Sequence, residues 1–259
     1  MPGHPTRSSK LGPGYRIAVI LLKPLLVLFT KRDWRGFDQL KSIDGGIVIA
    51  TNHTSWFDPL PVAHALYAND RPPRFLGKEE VFRVPIVGWV ISNAGQIRVY
   101  RESSEAMAAF RDAVKAVEHG ECVVVYPEGT ITKDPQLWPM EGKTGAVRIA
   151  LASGRPLFPM VQWGPQAVMR PYKKELRLIP RKTMHIWLGE PIDLTPYRDV
   201  EWTPELLHEA TEKLMQVLAQ MQGQIRGEIP PATLYSPLQV AGNGDWKPSA
   251  SNPTDGGES

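Results

Sequence analysis

The stretch GGIVIATNHTSWFDPLP, residues 45–61, decides the fold class of this 259-residue chain. Its first half, residues 45–53, is an apolar run rich in β-branched residues, which predicts a buried strand. Polar residues follow at once, with His53 and Asp58 five positions apart. A second run of this kind, ECVVVYP at residues 121–127, predicts another central strand. The polar cluster therefore lies where a core strand ends.

Strand-like and helix-like segments alternate on both sides of this stretch. Helix start and stop signals, such as Ser103 before and Gly120 after an amphipathic run, delimit the helices. The predicted strands cover residues 73–78, 95–100, 156–163 and 184–194, and the predicted helices cover residues 103–120, 144–154 and 203–225. The alternation predicts an α/β fold with a mixed, mostly parallel central sheet flanked by helices.

Composition narrows the class of protein. A hydrophobic content of 42% supports one sizeable core, and a formal net charge of +3 does not indicate a nucleic-acid partner. The charge is uneven, since residues 169–183 carry six basic residues against one Glu. Such a patch suits phosphate groups or anionic lipid headgroups, and a solvated hairpin face is the alternative.

The single cysteine, Cys122, excludes an intrachain disulfide and fits a reducing compartment. It lies inside the second apolar run, which favours a small buried side chain over a nucleophile. The chain has no CxxC or HExxH pattern, so the sequence predicts no zinc site.

Residues 15–29 form an apolar run that Lys23 and Pro24 interrupt, and neither half reaches the roughly 20 residues of a membrane span. With its basic flanks, the run predicts a membrane-surface anchor of two short helices kinked at Pro24. A single tilted span and a soluble helix buried on the domain are the alternatives. We therefore expect an N-terminal membrane-associating element over residues 1–35, a main domain over 36–228 and a disordered tail over 229–259.

His53 and Asp58 can face each other only if the stretch is not one helix, because residues five apart on a helix differ by roughly 140°. We predict that the strand ends near Thr51 and that Ser55 caps a helix, which brings Asp58 back toward His53. An ionised Asp would then fix the imidazole tautomer and leave the other nitrogen as a base. The nucleophile would be a substrate hydroxyl. The alternatives are a capping Asp beside a turn histidine, or Ser55 as a hydrolase nucleophile, for which no G-x-S-x-G elbow exists.

Three other segments carry groups suited to binding phosphate. Glu128, Gly129 and Thr130 follow the second core strand, where glycine lets backbone approach a ligand and Thr offers a hydroxyl. GQIRVYR, residues 95–101, supplies Arg98 and Arg101, one of which could clamp a phosphate. Lys78 ends a predicted strand and adds a positive charge. Ordinary surface roles are the alternative for each of these basic residues.

Taken in order, these motifs resemble those of the glycerophospholipid acyltransferase family, of the bacterial 1-acylglycerol-3-phosphate acyltransferase type. The matching segments are NHTSWFD at 52–58, GQIRVYR at 95–101, YPEGT at 126–130 and PLFPMV at 156–161. Two positions depart from the family pattern. Arg98 replaces the usual aromatic residue, and Ile131 follows EGT where many members carry a basic or small polar residue.

The resemblance implies transfer of a long-chain acyl group from acyl-CoA or acyl carrier protein to the hydroxyl of lysophosphatidic acid. It gives His53 the role of general base and Asp58 that of orienting it, and assigns the acceptor phosphate to Glu128, Gly129 and Thr130 with Arg101. It implies no metal and no organic cofactor, with membrane lipids as partners and the cytoplasmic face of the cell membrane as location, peripheral or monotopic. Glycerol 3-phosphate or another lysophospholipid as acceptor, or a non-catalytic lipid-binding relative, are the alternatives.

Overall fold

The sheet that carries the site has seven strands in the order β1-β7-β6-β2-β5-β3-β4. We describe it from a computed structural model, covering residues 11–85, 87–99, 103–173 and 175–236. The strands are β1 (Thr30–Arg35), β2 (Ile47–Thr51), β3 (Pro73–Lys78), β4 (Ile97–Val99), β5 (Cys122–Val125), β6 (Leu157–Trp163) and β7 (Lys182–Leu188). Arg101 and the part of the predicted tail from residue 237 onward lie outside the described residues.

Eight α-helices and two short 3₁₀ turns lie among the described residues. The helices are α1 (Pro13–Phe29), α2 (Pro59–Ala68), α3 (Glu79–Phe82), α4 (Val87–Asn93), α5 (Ser103–Glu118), α6 (Gly145–Ser153), α7 (Pro165–Val168) and α8 (Pro204–Arg226). The 3₁₀ turns are Phe37–Ser42 and Thr195–Tyr197. The predicted cap of the last long helix is confirmed, since the Thr203 hydroxyl accepts a bond from Leu206 N–H.

Side-chain alternation along β2 explains why helices cover both faces of the sheet. Ile47 and Ile49 point into a core that includes α2 and part of α1, whereas Val48 and Ala50 point into the core of α5, α6 and α8. All four are fully buried. Because neither face of β2 meets water, every position of the strand is apolar until Thr51. Cys122 is likewise buried on β5.

Strand directions confirm the predicted mixed, mostly parallel sheet. Five strands run the same way, while β7 pairs antiparallel with β6 and β1 pairs parallel with β7. The edge strand β1 was not predicted, because its charged residues indicated only a basic flank of the N-terminal segment. An edge strand with an exposed face tolerates such charges, which also discourage pairing with another chain.

The N-terminal apolar run is one continuous helix, so the prediction that it forms two short helices is wrong. Pro24 lies inside the 17-residue α1 on its exposed face. There, the backbone carbonyl that the missing N–H leaves unbonded can be solvated, which lowers the cost of an internal proline. Among the residues that the structure describes, no helix combines the length and apolar character that crossing a membrane requires.

Candidate active site

The end of β2 is held in place by the Asn52 side chain. Its Nδ2 donates to the Gln162 carbonyl at 3.0 Å and to Gln222 Oε1 at 2.9 Å, and its Oδ1 accepts from Gln162 N–H at 2.9 Å. Asn52 therefore fastens the strand end to β6 and α8. The next residue, His53, leaves the sheet from a fixed point.

His53 and Asp58 form the hydrogen-bonded pair that their spacing predicted. His53 Nδ1 lies 2.8 Å from Asp58 Oδ2, and the same oxygen accepts from the N–H groups of Thr54 at 2.6 Å and Ser55 at 2.9 Å. The path is not the predicted one, since α2 begins at Pro59 and Ser55 is not its cap. A turn over residues 55–58 folds the carboxylate back, because Asp58 N–H bonds to the Ser55 carbonyl at 3.2 Å.

His53 and Asp58 differ in how far solvent or a ligand can reach them. The Asp58 side chain is fully enclosed, whereas 14% of the His53 side chain is exposed. The imidazole stacks on the Tyr126 ring, with centroids 4.3 Å apart. Within the described part of the chain His53 Nε2 has no hydrogen-bond partner, so it is the nitrogen that a substrate can reach. This is the arrangement of an oriented general base.

Glu128 holds the backbone of His53 rather than facing outward. Its Oε1 accepts from His53 N–H at 2.8 Å and its Oε2 from Met140 N–H at 3.1 Å. Burial raises the pKa of Glu128 to about 8, which the two backbone hydrogen bonds oppose and the charge of Asp58 reinforces. Glu128 is 5% exposed, and it does not line the cavity. This buried acid therefore fixes the backbone position of His53.

An apolar cavity of about 380 Å³ opens in front of His53. Its walls come mainly from α1, α2, β3, α3 and α4, and Tyr126 and the segment Gly129–Ile131 line the part beside the base. The contributors from α1 share one helical face and are Tyr15, Ala18, Val19, Leu22, Lys23 and Leu26. A mostly hydrocarbon wall beside a polar base suits a ligand with a long apolar tail and a reactive polar group.

The other predicted site residues divide into two groups. Gly129, Thr130 and Lys78 line the cavity. Arg98 does not, because its guanidinium lies 4.7 Å from the Phe82 ring centre and bonds to Ser92 Oγ at 3.3 Å. Arg101 lies outside the described residues. The substrate-binding roles assigned to all these residues stay predictions.

Lys143 is a residue that the sequence analysis missed. A Cβ built on Gly129 would lie 3.1 Å from Lys143 Nζ, so the ammonium group lies directly over the glycine. Gly129 also has a φ of +69°, a conformation that disfavours other residues. Lys143 follows Thr130 by thirteen positions in an irregular segment, and its own N–H bonds to the Pro127 carbonyl at 2.8 Å. No local pattern marks a loop that folds back in this way.

A comparison with known protein families identifies the chain. The family model described as "Acyltransferase" matches residues 31–163, just over half of the chain, and includes His53, Asp58 and Glu128. The chain belongs to the acyltransferase family. The resemblance inferred from the motifs is thereby confirmed.

Individual acyltransferases resemble this chain to different extents. A chloroplastic 1-acyl-sn-glycerol-3-phosphate acyltransferase of Brassica napus is 30% identical over 142 residues, which is 54% of this chain and 40% of the relative. The 1-acyl-sn-glycerol-3-phosphate acyltransferase of Bacillus subtilis is 26% identical over 183 residues, which is 70% of this chain and 84% of the relative. The match covers less than half the length of the plant chloroplast relatives.

A solved structure of the same family shares the fold. The crystal structure of the 1-acyl-sn-glycerophosphate acyltransferase PlsC from Thermotoga maritima aligns with a TM-score of 0.57, at 20% identity, over 87% of this chain and 88% of that one. The α/β acyltransferase architecture predicted from the sequence is therefore confirmed.

Proposed function

We propose that this acyltransferase transfers a long-chain acyl group from a thioester to the free hydroxyl of lysophosphatidic acid, giving phosphatidic acid. The observation that carries the proposal is the open Nε2 of His53, oriented by Asp58, at the polar end of an apolar cavity. Two relatives named 1-acyl-sn-glycerol-3-phosphate acyltransferase support the acceptor. The donor is acyl-CoA or acyl carrier protein.

In the proposed reaction, His53 Nε2 removes the proton of the acceptor hydroxyl as the oxygen attacks the thioester carbonyl. The buried carboxylate of Asp58 stabilises the imidazolium that forms. The C–S bond then breaks, and the thiolate leaving group takes the proton from His53. The new ester bond and the free thiol balance the reaction. Positioning and base catalysis suffice for an activated ester, so the proposal includes no metal and no organic cofactor.

The acceptor phosphate would lie against the segment after β5. Backbone N–H groups of Thr130 and Ile131 donate no hydrogen bond within the described residues, and Gly129 permits close approach. The ammonium group of Lys143 lies above the same glycine, and Lys78 lines the cavity. Many members of the family carry a basic or small polar residue at the position of Ile131, which is apolar here and 1% exposed. Lys143 can supply the positive charge instead. Arg101 stays a predicted member of this set.

Membrane association is part of the proposal, because the lysophospholipid acceptor and the phosphatidic acid product reside in a bilayer. The outer face of α1 exposes large apolar side chains, namely Ile17, Ile20, Leu21, Leu25 and Leu28. Such a helix can lie in the interfacial layer with this face among the acyl chains. We assign the protein to the cytoplasmic face of the cell membrane as a peripheral or monotopic protein.

The decisive experiment is a substrate panel with purified wild type and His53→Ala. We expect wild type to acylate lysophosphatidic acid from labelled acyl-CoA or acyl carrier protein, and the variant to show no transfer above background. Faster transfer to glycerol 3-phosphate or to another lysophospholipid would show that this compound, and not lysophosphatidic acid, is the acceptor. Absence of transfer to every acceptor would favour a lipid-binding relative. Circular dichroism spectra of the two proteins establish that the variant is folded.

A further inference from the structure

The loop between α7 and β7, residues 169–181, is called here the basic loop. It carries five basic residues by sequence, and its one acid, Glu175, pairs with Arg177 at 3.0 Å. It also exposes apolar side chains, since Ile179 is 80% exposed and Leu176 is 54% exposed. A cationic segment with protruding apolar side chains has the composition of an interfacial lipid-binding element.

The basic loop is bonded to both loops of the active site. Ser55 Oγ, in the turn between His53 and Asp58, donates to the Met169 carbonyl at 2.6 Å. Tyr172 OH donates to the Ile131 carbonyl at 2.7 Å, directly after Thr130. A bridge between Met169 and Leu176 and the bond from Arg177 N–H to the Val168 carbonyl close the loop on itself. A contact that fixes the position of the basic loop therefore also restrains His53 and the proposed phosphate-binding segment.

The basic loop also continues the exposed face of α1. Arg181 donates to the carbonyls of Val27 at 2.9 Å and Thr30 at 2.7 Å, at the C-terminal end of that helix. A shallow groove on this surface is lined by Arg181 together with Val19, Ile20, Lys23, Pro24, Val27 and Leu28. The apolar side chains of α1 thus meet the basic loop at Arg181, and the two line one groove.

From this continuity we infer that the basic loop is a second membrane contact, specific for anionic lipid. Leu176 and Ile179 enter the outermost acyl region while Arg170, Lys173 and Arg177 lie among the phosphate headgroups. Hydrogen bonds through Met169 and Tyr172 then fix the two active-site loops when the protein is docked. The inference rests on the proposed membrane association and adds the lipid charge that the surface recognises.

Vesicle binding tests the inference without any acyl donor or acceptor. The apolar variant is Leu176→Ser with Ile179→Ser, and the charge variant is Arg170→Gln with Lys173→Gln. Controls use exposed residues outside the basic loop, namely Ile229→Ser in the segment after α8 for the first, and Arg111→Gln with Lys115→Gln on α5 for the second. Sedimentation is measured with phosphatidylcholine vesicles that contain or lack phosphatidylglycerol.

We expect the apolar variant to lower the partition coefficient about tenfold on both vesicle types, and the charge variant to lower it about tenfold only where phosphatidylglycerol is present. Both controls should bind as wild type does. Wild-type binding by both loop variants, or equal losses in the controls, would overturn the inference. So would failure of the wild type to bind anionic vesicles.

Acyl transfer separates this inference from the proposed function. The loop variants should retain wild-type kcat on lysophosphatidic acid dispersed in detergent and lose activity on acceptor embedded in anionic vesicles. If wild type binds anionic vesicles through the loop but transfers no acyl group, the proposed function fails and the membrane contact stands. Equal losses in detergent and on vesicles would contradict the membrane contact and indicate a structural role of the loop.

Discussion

Two histidine–aspartate pairs with almost the same hydrogen bond lie among the residues that the structure describes. In the site, His53 Nδ1 lies 2.8 Å from Asp58 Oδ2, and between β1 and β7 His185 Nδ1 lies 2.7 Å from Asp33 Oδ2. The environments differ. Asp58 is fully enclosed and bonds to two backbone N–H groups, whereas Asp33 is 24% exposed and bonds to the side chains of Arg35 and Trp187.

The comparison shows that the pair itself does not make a site. Partial burial raises the pKa of Asp33, but hydrogen bonds from Arg35, His185 and Trp187 outweigh it and lower the pKa to about 2. That carboxylate is shared among three donors on a sheet edge, and Asp33 lines neither the apolar cavity in front of His53 nor the groove beside α1. Asp58 Oδ2 also accepts from three donors, but two of them are backbone N–H groups of its own turn, and the imidazole that it binds lies at a cavity with mostly apolar walls. Enclosure and access distinguish the two pairs.

The largest expected effect comes from removing each histidine in turn. His53→Ala should lower kcat for acyl transfer at least about 10³-fold, because it removes the proposed general base. His185→Ala should leave kcat within about twofold. Single-turnover transfer of labelled acyl groups measures both, and equal losses in the two variants would contradict the assignment.

Replacing the two aspartates is the next test. Asp58→Asn should reduce kcat about 10²- to 10⁴-fold, since an amide neither fixes the tautomer nor stabilises the imidazolium. Asp33→Asn removes a solvent-screened network and should cost under about 1 kcal/mol of unfolding free energy, without changing kcat. Denaturant titration and initial rates measure the two quantities. A larger kcat loss for Asp33→Asn would refute the distinction.

Charge beside the catalytic pair can be tested at Lys143. Lys143→Ala should raise KM for lysophosphatidic acid about tenfold with little change in kcat, because it removes a proposed phosphate contact. For a neutral monoacylglycerol that the wild type acylates, KM should be the same in the variant and the wild type. Lys143→Arg should restore much of the affinity. An equal rise of KM for charged and neutral acceptors would indicate a structural role instead.

The smallest effect concerns His64, a buried histidine on the cavity wall whose Nε2 has no hydrogen-bond partner among the described residues. Burial, with the charges of Arg32 and Lys23, lowers its pKa to about 4. The unfolded chain therefore binds a proton that the folded one excludes between about pH 6.5 and 4, so stability falls as the pH is lowered through this window.

His64→Leu should remove this loss, which is of the order of 1–2 kcal/mol at pH 5. Thermal unfolding of variant and wild type at pH 7.5 and pH 5 measures it. A variant whose stability falls as steeply as that of the wild type would show that His64 does not contribute. The comparison then extends to a histidine with no aspartate at all.

Much of the fold follows from local rules that the sequence displays. The buried runs at β2 and β5, the capped helix α8 and the alternation of strands and helices all rest on patterns within about twenty residues. The edge strand β1 was not predicted from the sequence, because its partner β7 lies some 150 positions away and only that pairing makes Thr30–Arg35 a strand. The continuity of α1 through Pro24 likewise depends on which side of the helix meets solvent.

The candidate site divides in the same way. The spacing of His53 and Asp58 allowed their bond, and the motifs further along the chain favoured it, but neither predicted the turn that makes it. Glu128 was predicted to hold phosphate, whereas its carboxyl group bonds to the backbone of His53 and Met140, contacts that no motif encodes. The approach of Lys143 to Gly129 depends on how an irregular segment folds back. Long-range contacts of this kind have no periodic signature.

In the proposed function, the two faces of α1 have separable tasks. Tyr15, Leu22 and Leu26 lie toward the cavity, while Ile20, Leu21 and Leu28 lie on the opposite side of the same helix. Because a helix repeats every 3.6 residues, a substitution on one face hardly disturbs the other. Selectivity for the substrate tail and attachment to a lipid surface can therefore change independently within seventeen residues. An engineer could retune either property by choosing which positions of one turn to replace.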